Sequence, residues 1–407
     1  MPAGHTDFDV AIVGGGIVGL ATAMALTETS PRRRLIVCEA EDTLAAHQSG
    51  RNSGVIHSGV YYAPGSLKAR LCVTGSDQLY TFCDRHEIPT RRCGKVVIAT
   101  TPAETARLAT LADTGRANGL RGLSLLTAEQ LREHEPYAGG VAGLFVPQTG
   151  VVDYAQVTRA YAAQVRQCGH EVRCGSRVIE VHRGPNRVYL DTTAGSVRAR
   201  LLIGCTGLQA DRFAAMCGVD PGAAIIAFRG QYHRLADDRR LLVRGLIYPA
   251  PDPRYPFLGV HLTRHIDDTV TAGPNAVLAL KREGYEPWAF SLRDVRAMAV
   301  RPAFWAMAVR HWPLGVREMH RALRRSRFVA SVQALVPAVR TGDLRPAPSG
   351  IRAQAVTLSG RLLDDFHIVQ AQRMIHVINA PSPAATASIA IGKYIAAQAA
   401  TQLDAMT

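Results

Sequence analysis

Four residues near the start of the chain have the types and the spacing of a dinucleotide-binding site. Gly14, Gly16 and Gly19 form the pattern G-x-G-x-x-G between an apolar run and a segment of helical character. The first glycine permits a tight turn, the second lets the backbone approach a pyrophosphate, and the third lets the helix pack closely on the strand. Glu39 follows a second apolar run, where an acidic side chain accepts hydrogen bonds from a ribose and argues against NADP.

The segment after this motif favours FAD over NAD. Residues 46–62 are rich in small residues and in side-chain donors, as expected where backbone wraps around a large flat cofactor. An NAD dehydrogenase would continue with further βα units, whereas FAD-dependent oxidoreductases commonly place a second glycine-rich loop against the flavin. The helix that begins near Ile17 and Val18 would direct its free N–H groups toward the phosphates of FAD.

The order of the predicted elements indicates the fold that positions this site. Residues 7–40 predict a β-α-β entry, and strand and helix patterns alternate along the rest of the chain. The fold class is therefore α/β (α+β overall), with a Rossmann-like FAD-binding domain and an interleaved substrate-binding domain on a mixed or antiparallel sheet. We expect the FAD-binding domain to comprise 1–94, 145–215 and 345–407, and the substrate-binding domain to comprise 95–144 and 216–344, including a helical cationic segment at about 285–340.

Residue spacing also predicts the individual elements. Thr127 and Gln130 stand at the positions of a capping box, which indicates a helix start. The predicted helices cover 67–86, 102–119, 127–134, 154–168 and a C-terminal stretch to about 400. The predicted strands cover 94–100, 143–147, 150–154, 171–174, 176–183, 187–192, 198–203, 228–234, 246–248, 259–264, 368–370 and 375–378.

At 407 residues the chain is too long for one ordinary core, and its charge is strongly basic. It holds 47 Lys and Arg residues against 33 Asp and Glu residues, a formal net charge of +14, and only four of the basic residues are Lys. Such a charge would attract anionic substrates or an anionic membrane surface. No basic run is interleaved with aromatic residues in a nucleic-acid reader motif, so nucleic acid is a disfavoured partner.

The sequence contains no signal for export or for a metal. No apolar run is long enough to span a bilayer, and the few residues before the first strand leave no room for a signal peptide. Eight Cys residues without C-x-x-C pairs or Cys/His ligand spacing predict reduced, mostly buried thiols and no metal site. We therefore expect a cytoplasmic protein, with peripheral contact at the inner face of the plasma membrane left open.

Several longer segments carry more specific information than the glycine motif. They are residues 47–62, 64–68, 228–230, 256–264, 273–276, 281–285, 350–354 and 379–386. Together they span nearly the whole chain, and in them the sequence resembles the L-2-hydroxyglutarate oxidase/dehydrogenase family of the D-amino-acid-oxidase-like flavoproteins. The resemblance implies FAD-dependent oxidation of L-2-hydroxyglutarate to 2-oxoglutarate, with electrons passed to quinone at a membrane or to oxygen.

This reaction removes a hydroxyl proton and moves a hydride from C2 to flavin N5, so it requires a base and carboxylate clamps. His57 is the predicted base, because imidazole titrates near working pH and the residue lies in a glycine-flanked loop expected beside the flavin; a purely structural histidine is the alternative. Arg352 is the predicted clamp for the 1-carboxylate, because Gly350-Ile-Arg352 resembles the Gly-Leu-Arg of related amine oxidases and a guanidinium fork binds carboxylates.

A second strand predicted over the site adds His261 and Arg264. Their spacing places them on opposite faces of a regular strand, and His261 is the preferred one. Tyr61, Tyr62 and Lys68 are predicted to help hold the distal carboxylate, although core packing explains the tyrosines equally well.

His47 lies where some related flavoproteins attach FAD covalently, and we expect a hydrogen-bonding or structural role here. The remaining residues expected to contact FAD are Asn52, Ser53, Gly54, Val178, Thr206, Gly207, Pro383, Ala384, Ala385 and Thr386. Two alternatives stay open: oxidation of another 2-hydroxy or amino acid on the same fold, and, more remotely, a non-catalytic flavoprotein that binds nucleic acid.

Overall fold

The computed structural model describes residues 6–252 and 259–406, which contain twenty β-strands and ten α-helices. The strands are β1 (Thr6–Val13), β2 (Leu35–Cys38), β3 (Val55–Ile56), β4 (Thr90–Arg91), β5 (Lys95–Ala99), β6 (Ser124–Thr127), β7 (Ala142–Val146), β8 (Gly150–Val152), β9 (Glu171–Arg173), β10 (Val178–Arg183), β11 (Val188–Thr192), β12 (Gly195–Gly204), β13 (Ala224–Leu235), β14 (Leu246–Pro249), β15 (His261–Arg264), β16 (Val270–Gly273), β17 (Val277–Leu278), β18 (Leu344–Val356), β19 (His367–Ala371) and β20 (Met374–Asn379). The helices are α1 (Ile17–Thr29), α2 (Leu67–Arg85), α3 (Pro102–Ala117), α4 (Ala128–His134), α5 (Tyr154–Gln167), α6 (Ala210–Met216), α7 (Leu292–Ala299), α8 (Pro302–Leu323), α9 (Arg325–Gln333) and α10 (Ser388–Asp404).

The first sheet is built around β1 and has eight strands. Its order is β10-β11-β12-β1-β2-β9, and β20 joins β12 and carries β19. The pairs β1–β2, β1–β12, β2–β9 and β12–β20 are all parallel. Parallel strands joined through helices form the Rossmann-like architecture, so the predicted fold class is confirmed.

Helices cover this sheet because its strands are apolar on both faces. The side chains of Val10 and Ile12 pack into a core with α1, α2, α5 and α10, whereas Ala11 and Val13 pack on the opposite face with α6. Helices α1 and α10 approach closely at Gly392, where a Cβ atom would lie 2.4 Å from the carbonyl oxygen of Ala21. A larger residue there would force the two helices apart.

The second sheet has nine strands and is mainly antiparallel. Its order is β17-β13-β16-β15-β14-β5-β7-β6, and β18 pairs with β13 along most of its length. The pair β14–β5 is parallel, so the sheet is mixed. A small third sheet, β3-β8-β4, is not hydrogen-bonded to either of them but packs against the second.

The two faces of the second sheet bury different residues. Val96 and Ile98 of β5 pack into one core, whereas Val97 and Ala99 pack with β3 on the other face. Residues of odd number in β5 therefore face β3 and the loop that follows it. Lys95 begins this series.

Most predicted elements occur with small shifts at their ends. The helix predicted over 102–119 ends at Ala117, and the capping box of Thr127 and Gln130 is present. Strand β18 was not predicted, because Pro346, Pro348 and Gly350 interrupt its pattern. The first three residues of the resembling segment 256–264 lie outside the described residues.

The segment predicted to be helical and cationic contains α7, α8 and α9. Helix α8 is kinked at His311, where φ is −121° and ψ is 15°, two residues before Pro313. Among the described helices, none combines the length and apolarity needed to cross a bilayer.

Candidate active site

A cavity of about 840 Å³ lies between the two large sheets and is lined by both. The first sheet contributes the ends of β1, β2, β12 and β20, and the second contributes β13 and β18. Ligands of α/β proteins bind at such carboxyl ends of parallel strands. Of the residues predicted for the site, the cavity is lined by Gly14, Gly16, Ile17, Val18, Glu39, His47, Asn52, Ser53, His57, Val178, Thr206, Gly207, Arg352, Pro383, Ala384, Ala385 and Thr386.

The glycine turn provides a narrow cradle at one end of this cavity. Gly14 has a φ of +107°, and a Cβ atom there would lie 2.3 Å from the carbonyl oxygen of Cys205. Gly19 does not line the cavity, but a Cβ atom at position 19 would lie 2.0 Å from the carbonyl oxygen of Gly14. The helix therefore packs against the turn only because position 19 is glycine, which is the role the motif predicts.

The groups around the cradle fit an anionic dinucleotide. The Glu39 carboxylate accepts hydrogen bonds from the backbone N–H groups of Gly15 at 2.7 Å and Glu41 at 2.9 Å, and it lies at the cavity wall. Helix α1 begins after Gly16, and its first N–H, of Ile17, donates to Ser49 Oγ at 2.9 Å. The N-terminus of this helix lines the cavity, where its partial positive charge favours a phosphate. The buried hydroxyl of Thr206 has no hydrogen-bond partner in the described chain and lines the same cavity.

The second glycine-rich loop is held by its own side chains. Asn52 donates from its amide to the carbonyl oxygens of Gln48 and Ser49 and accepts from the Gly54 N–H at 2.9 Å. Gly54 lies behind the cavity wall with a φ of +69°, a conformation that favours glycine.

His47 is anchored at both ring nitrogens. Its Nδ1 lies 2.8 Å from the hydroxyl of Tyr285, and its Nε2 lies 3.3 Å from the Glu41 carboxylate. Both nitrogens are engaged within the protein, which fits the hydrogen-bonding role predicted from the sequence.

His57 follows β3 and is positioned by the segment that precedes α10. Its backbone N–H donates to Thr386 Oγ1 at 3.0 Å, and that hydroxyl in turn bonds the hydroxyl of Tyr154. Its Nε2 lies 3.4 Å from Ser382 Oγ. Burial, together with the charges of neighbouring basic side chains, lowers the pKa of His57 to about 3. The imidazole is therefore neutral near pH 7 and can accept a proton.

Arg352 lies on β18 directly opposite Phe228 of β13, and both line the cavity. Burial lowers the pKa of Arg352, an effect opposed by the hydroxyls of Tyr232 and Tyr62. An arginine remains charged in such a place, so its guanidinium presents positive charge beside His57.

His261 and Arg264 lie on opposite sides of β15. His261 stacks on Tyr248, with ring centroids 4.0 Å apart, and burial lowers the pKa of His261 to about 4. Its Nδ1 bonds the Gly259 carbonyl oxygen at 3.0 Å, which leaves Nε2 as an acceptor. Arg264 does not line the cavity and bonds the Asp268 carboxylate at 2.9 Å. His261 does not line the cavity either, but it is close enough to His57 and Arg352 for their charges to interact.

Tyr61 and Lys68 lie behind the cavity wall. Lys68 Nζ bonds the Asp364 carboxylate at 2.7 Å, so its charge is already compensated. The buried hydroxyl of Tyr61 has no partner within the described ranges. Its ring instead lies 4.3 Å below the ammonium group of Lys95.

Lys95, which was not predicted for the site, does not line the cavity but is close enough to His57 for its charge to act on that residue. Its side chain is 1% exposed, and burial lowers the pKa of Lys95 to about 7. The only sequence feature that could have indicated it is a single Lys directly before the apolar run 96–99. Lys is rarely fully buried in proteins, so a Lys at the start of a buried strand is unusual.

The chain is similar to known proteins in both its sequence and its fold. The family described as FAD dependent oxidoreductase matches residues 9–398. The chain is 44% identical to an L-2-hydroxyglutarate dehydrogenase of Indibacter alkaliphilus, over 95% of this chain and 97% of that protein. It is 45% identical to an L-2-hydroxyglutarate dehydrogenase of Escherichia coli strain K12, over 97% of this chain and 94% of that protein.

The fold is also similar to that of L-alpha-glycerophosphate oxidase from Mycoplasma pneumoniae, solved with FAD bound. The TM-score is 0.77 at 20% sequence identity, and the match covers 98% of this chain and 94% of that chain.

Proposed function

The chain belongs to the FAD-dependent oxidoreductase family, and we propose that it oxidises L-2-hydroxyglutarate to 2-oxoglutarate with FAD as its cofactor. The observation that carries the proposal is the group of basic side chains around His57, which includes Lys68, Lys95 and Arg352. Clustered positive charge attracts anions. A substrate with two carboxylates suits such a cluster, and the relatives named above support this particular dicarboxylate.

The residues of this chain divide the work of the reaction. The chemistry that FAD supplies when bound is acceptance of a hydride at flavin N5. Arg352 binds and orients the 1-carboxylate by charge-assisted hydrogen bonds. His57, neutral and held by Thr386, accepts the hydroxyl proton at Nε2. His261 offers a second acceptor at its own Nε2.

The first sheet and the loops around it would hold FAD. Gly14 and Gly16 leave room for the pyrophosphate, and Glu39 would accept from the adenosine ribose. The buried hydroxyl of Thr206 would supply a further polar group. The second glycine-rich loop and the segment 383–386 would hold the flavin.

The division into domains follows from this assignment as a proposal. Residues 1–94, 145–215 and 345–407 form the FAD-binding domain, and residues 95–144 and 216–344 form the substrate-binding domain. The sheet memberships of β1, β12 and β20 on one side, and of β5, β13 and β15 on the other, support the division. Strand β18 departs from it, because residues 345–356 are assigned to the FAD-binding domain but pair with β13 in the second sheet.

Flavin reduction under anaerobic conditions tests the proposed activity. We expect a yellow protein whose visible flavin absorbance is bleached by L-2-hydroxyglutarate and retained with the D isomer. A panel of other 2-hydroxy acids and of amino acids serves as the control. Bleaching by an amino acid, with none by L-2-hydroxyglutarate, would contradict the proposal.

We further propose that the electrons leave for a membrane quinone rather than for oxygen, through peripheral contact with an anionic membrane. Five exposed apolar residues of the segment 288–312, which we call the tryptophan surface, support this idea: Trp288, Leu292, Trp305, Val309 and Trp312. The first of them is 93% exposed. Arg293, Arg296 and Arg310 are exposed on the same elements, and apolar rings with basic neighbours suit a lipid interface.

The tryptophan surface lies beside the cavity. Helix α7 contributes Arg293 and Asp294 to the cavity lining, whereas the adjacent Leu292 is 72% exposed. A quinone that enters from a bound membrane would therefore meet the cavity at this helix.

A further inference from the structure

We propose that Lys95 binds the distal carboxylate of the substrate and thereby determines the preference of this protein for a dicarboxylic acid. The inference deepens the proposed function and rests on it. The sequence suggested Lys68 for this task, but the contacts of the two lysines differ.

Lys95 is held in place by two aromatic rings. Its Nζ lies 4.3 Å from the ring centroid of Tyr61 and 4.9 Å from that of Tyr248. Its side chain lies on the same face of β5 as that of Val97, which packs against β3. Ring faces attract a cation and restrict the ammonium group to one position, so Lys95 is oriented before any ligand arrives.

The ammonium group lacks a counter-ion within the described ranges, where it forms neither an ion pair nor a hydrogen bond. Two other buried cations among the described residues are paired with carboxylates. Lys68 binds Asp364 at 2.7 Å, and the buried Arg282 binds Asp211 by two bonds of 2.5 and 3.0 Å. Because an unpaired buried cation is strongly unfavourable, Lys95 is a site where an anion would bind.

The surrounding groups point to the same ligand. His57 and His261 are both close enough to Lys95 for their charges to interact, and Arg352 acts on the same two histidines. Cys72 is the neighbour that favours the charged lysine, and Tyr61 and Tyr248 complete the surroundings. A carboxylate bound between Lys95 and His57 would complete this arrangement, with the other carboxylate on Arg352.

Two substrates that differ only at C5 test the inference. L-2-Hydroxyglutarate has a carboxylate there, and L-2-hydroxypentanoate has a methyl group. For Lys95→Met holoenzyme, we expect kcat/KM for L-2-hydroxyglutarate to fall on the order of 100-fold, as for loss of a buried charge partner. The value for L-2-hydroxypentanoate should change little, so the preference for the dicarboxylate disappears. Lys95→Arg should restore part of the preference.

The pH profile separates a binding role from a structural one. The pKa of Lys95 is lowered to about 7, so the ligand-free protein loses this charge as the pH rises above that value. The KM for L-2-hydroxyglutarate in the wild type should therefore rise above about pH 7. In Lys95→Met and Lys95→Arg this dependence should be absent, because neither side chain titrates there.

Lys393→Met is the matched control, because Lys393 is exposed on α10, and it should behave as the wild type. Lys95→Met should also keep its bound flavin. Its melting temperature at pH 6 should equal or exceed that of the wild type, since the penalty of a buried charge is present in full below the lowered pKa.

The outcomes distinguish the inference from the proposed function. If L-2-hydroxyglutarate reduces the flavin and Lys95→Met keeps the dicarboxylate preference, the inference is wrong and the function stands. Loss of that preference in Lys68→Met instead would likewise overturn it. If L-2-hydroxyglutarate does not reduce the flavin, the affinity for glutarate, measured from the visible flavin spectrum, still tests the inference. Weaker glutarate binding in Lys95→Met, but not in Lys393→Met, supports it. Equal binding in Lys95→Met and the wild type overturns it.

Discussion

At the scale of single residues, the chemistry depends on how His57 is held. Its backbone N–H donates to Thr386, and among the residues that the structure describes only Ser382 lies within bonding distance of the imidazole, at 3.4 Å. The ring is therefore fixed in position but free to accept a proton. The basic residues around it lower the pKa of His57 to about 3, and a bound dianion would reverse part of that effect.

Replacement of His57 tests this role directly. We expect His57→Ala to retain FAD and to slow flavin reduction by L-2-hydroxyglutarate by roughly 10²–10⁴-fold, the usual scale for a lost acid–base group. In the wild type, kcat/KM should begin to fall only at a pH well below the ordinary histidine pKa of about 6.5, because His57 stays neutral in the free protein until then. Stopped-flow reduction across pH measures both.

His182→Ala is the matched control for this prediction. His182 lies on the surface of β10, with its side chain 54% exposed, and its replacement should leave the reduction rate unchanged. A His57→Ala protein that is reduced at the wild-type rate would assign the proton to another acceptor, and His261 is then the next residue to replace.

Sequence patterns located some site residues and missed others for a physical reason. The glycines at 14, 16 and 19 could be recognised because the turn needs them locally. Lys95 could not, because the two rings beside it come from distant segments and only the pairing of β5 with β14 brings Tyr248 to it. Lys68 was expected at the substrate, but Asp364, 296 residues further on, binds its charge.

At the scale of elements, the contact between α1 and the glycine turn controls cofactor binding. Gly19→Ala would place a Cβ atom 2.0 Å from the Gly14 carbonyl oxygen, so the helix must move away from the turn. We expect this protein to fold but to lose most of its FAD on dialysis, measured as the ratio of flavin to protein absorbance. Added FAD should rebind only weakly.

Gly315→Ala is the control, because Gly315 also lies within a helix, α8, and a Cβ atom there meets nothing within 4 Å. Alanine favours a helix by roughly 1 kcal/mol over glycine, so this variant should keep FAD and be slightly more stable. Full FAD retention by Gly19→Ala would show that the turn tolerates a displaced helix.

The elements also differ in how far sequence could predict them. The helices with regular apolar spacing, such as α2 and α5, were located to within two residues of their observed ends. Strand β18 was missed because Pro and Gly normally exclude a central strand. It lies at one edge of its sheet and pairs only with β13, where the missing N–H groups of the prolines leave no partner unsatisfied.

At the scale of the whole molecule, the proposed membrane contact depends on the net charge of +14 and on the tryptophan surface together. The charge would attract the protein to anionic lipid over about 10 Å at moderate salt, and the apolar rings would then insert. We expect that neither feature alone gives stable binding. Quinone reduction should therefore depend on both the lipid charge and the exposed rings.

Flotation with liposomes tests this combination. The wild-type protein should float with vesicles that contain phosphatidylglycerol and remain behind with vesicles of phosphatidylcholine alone, and high salt should weaken the binding. The double variant Trp288→Ser/Trp312→Ser should bind less at every salt concentration. Both rings are mostly exposed and contribute little to the core, so the variant should still fold.

The matched control replaces Leu125 and Leu241 with Ser. These residues are 51% and 69% exposed and lie outside the tryptophan surface, so this variant should bind as the wild type does. Equal partition onto both kinds of vesicle would remove the membrane as the site of electron transfer and leave oxygen as the predicted acceptor.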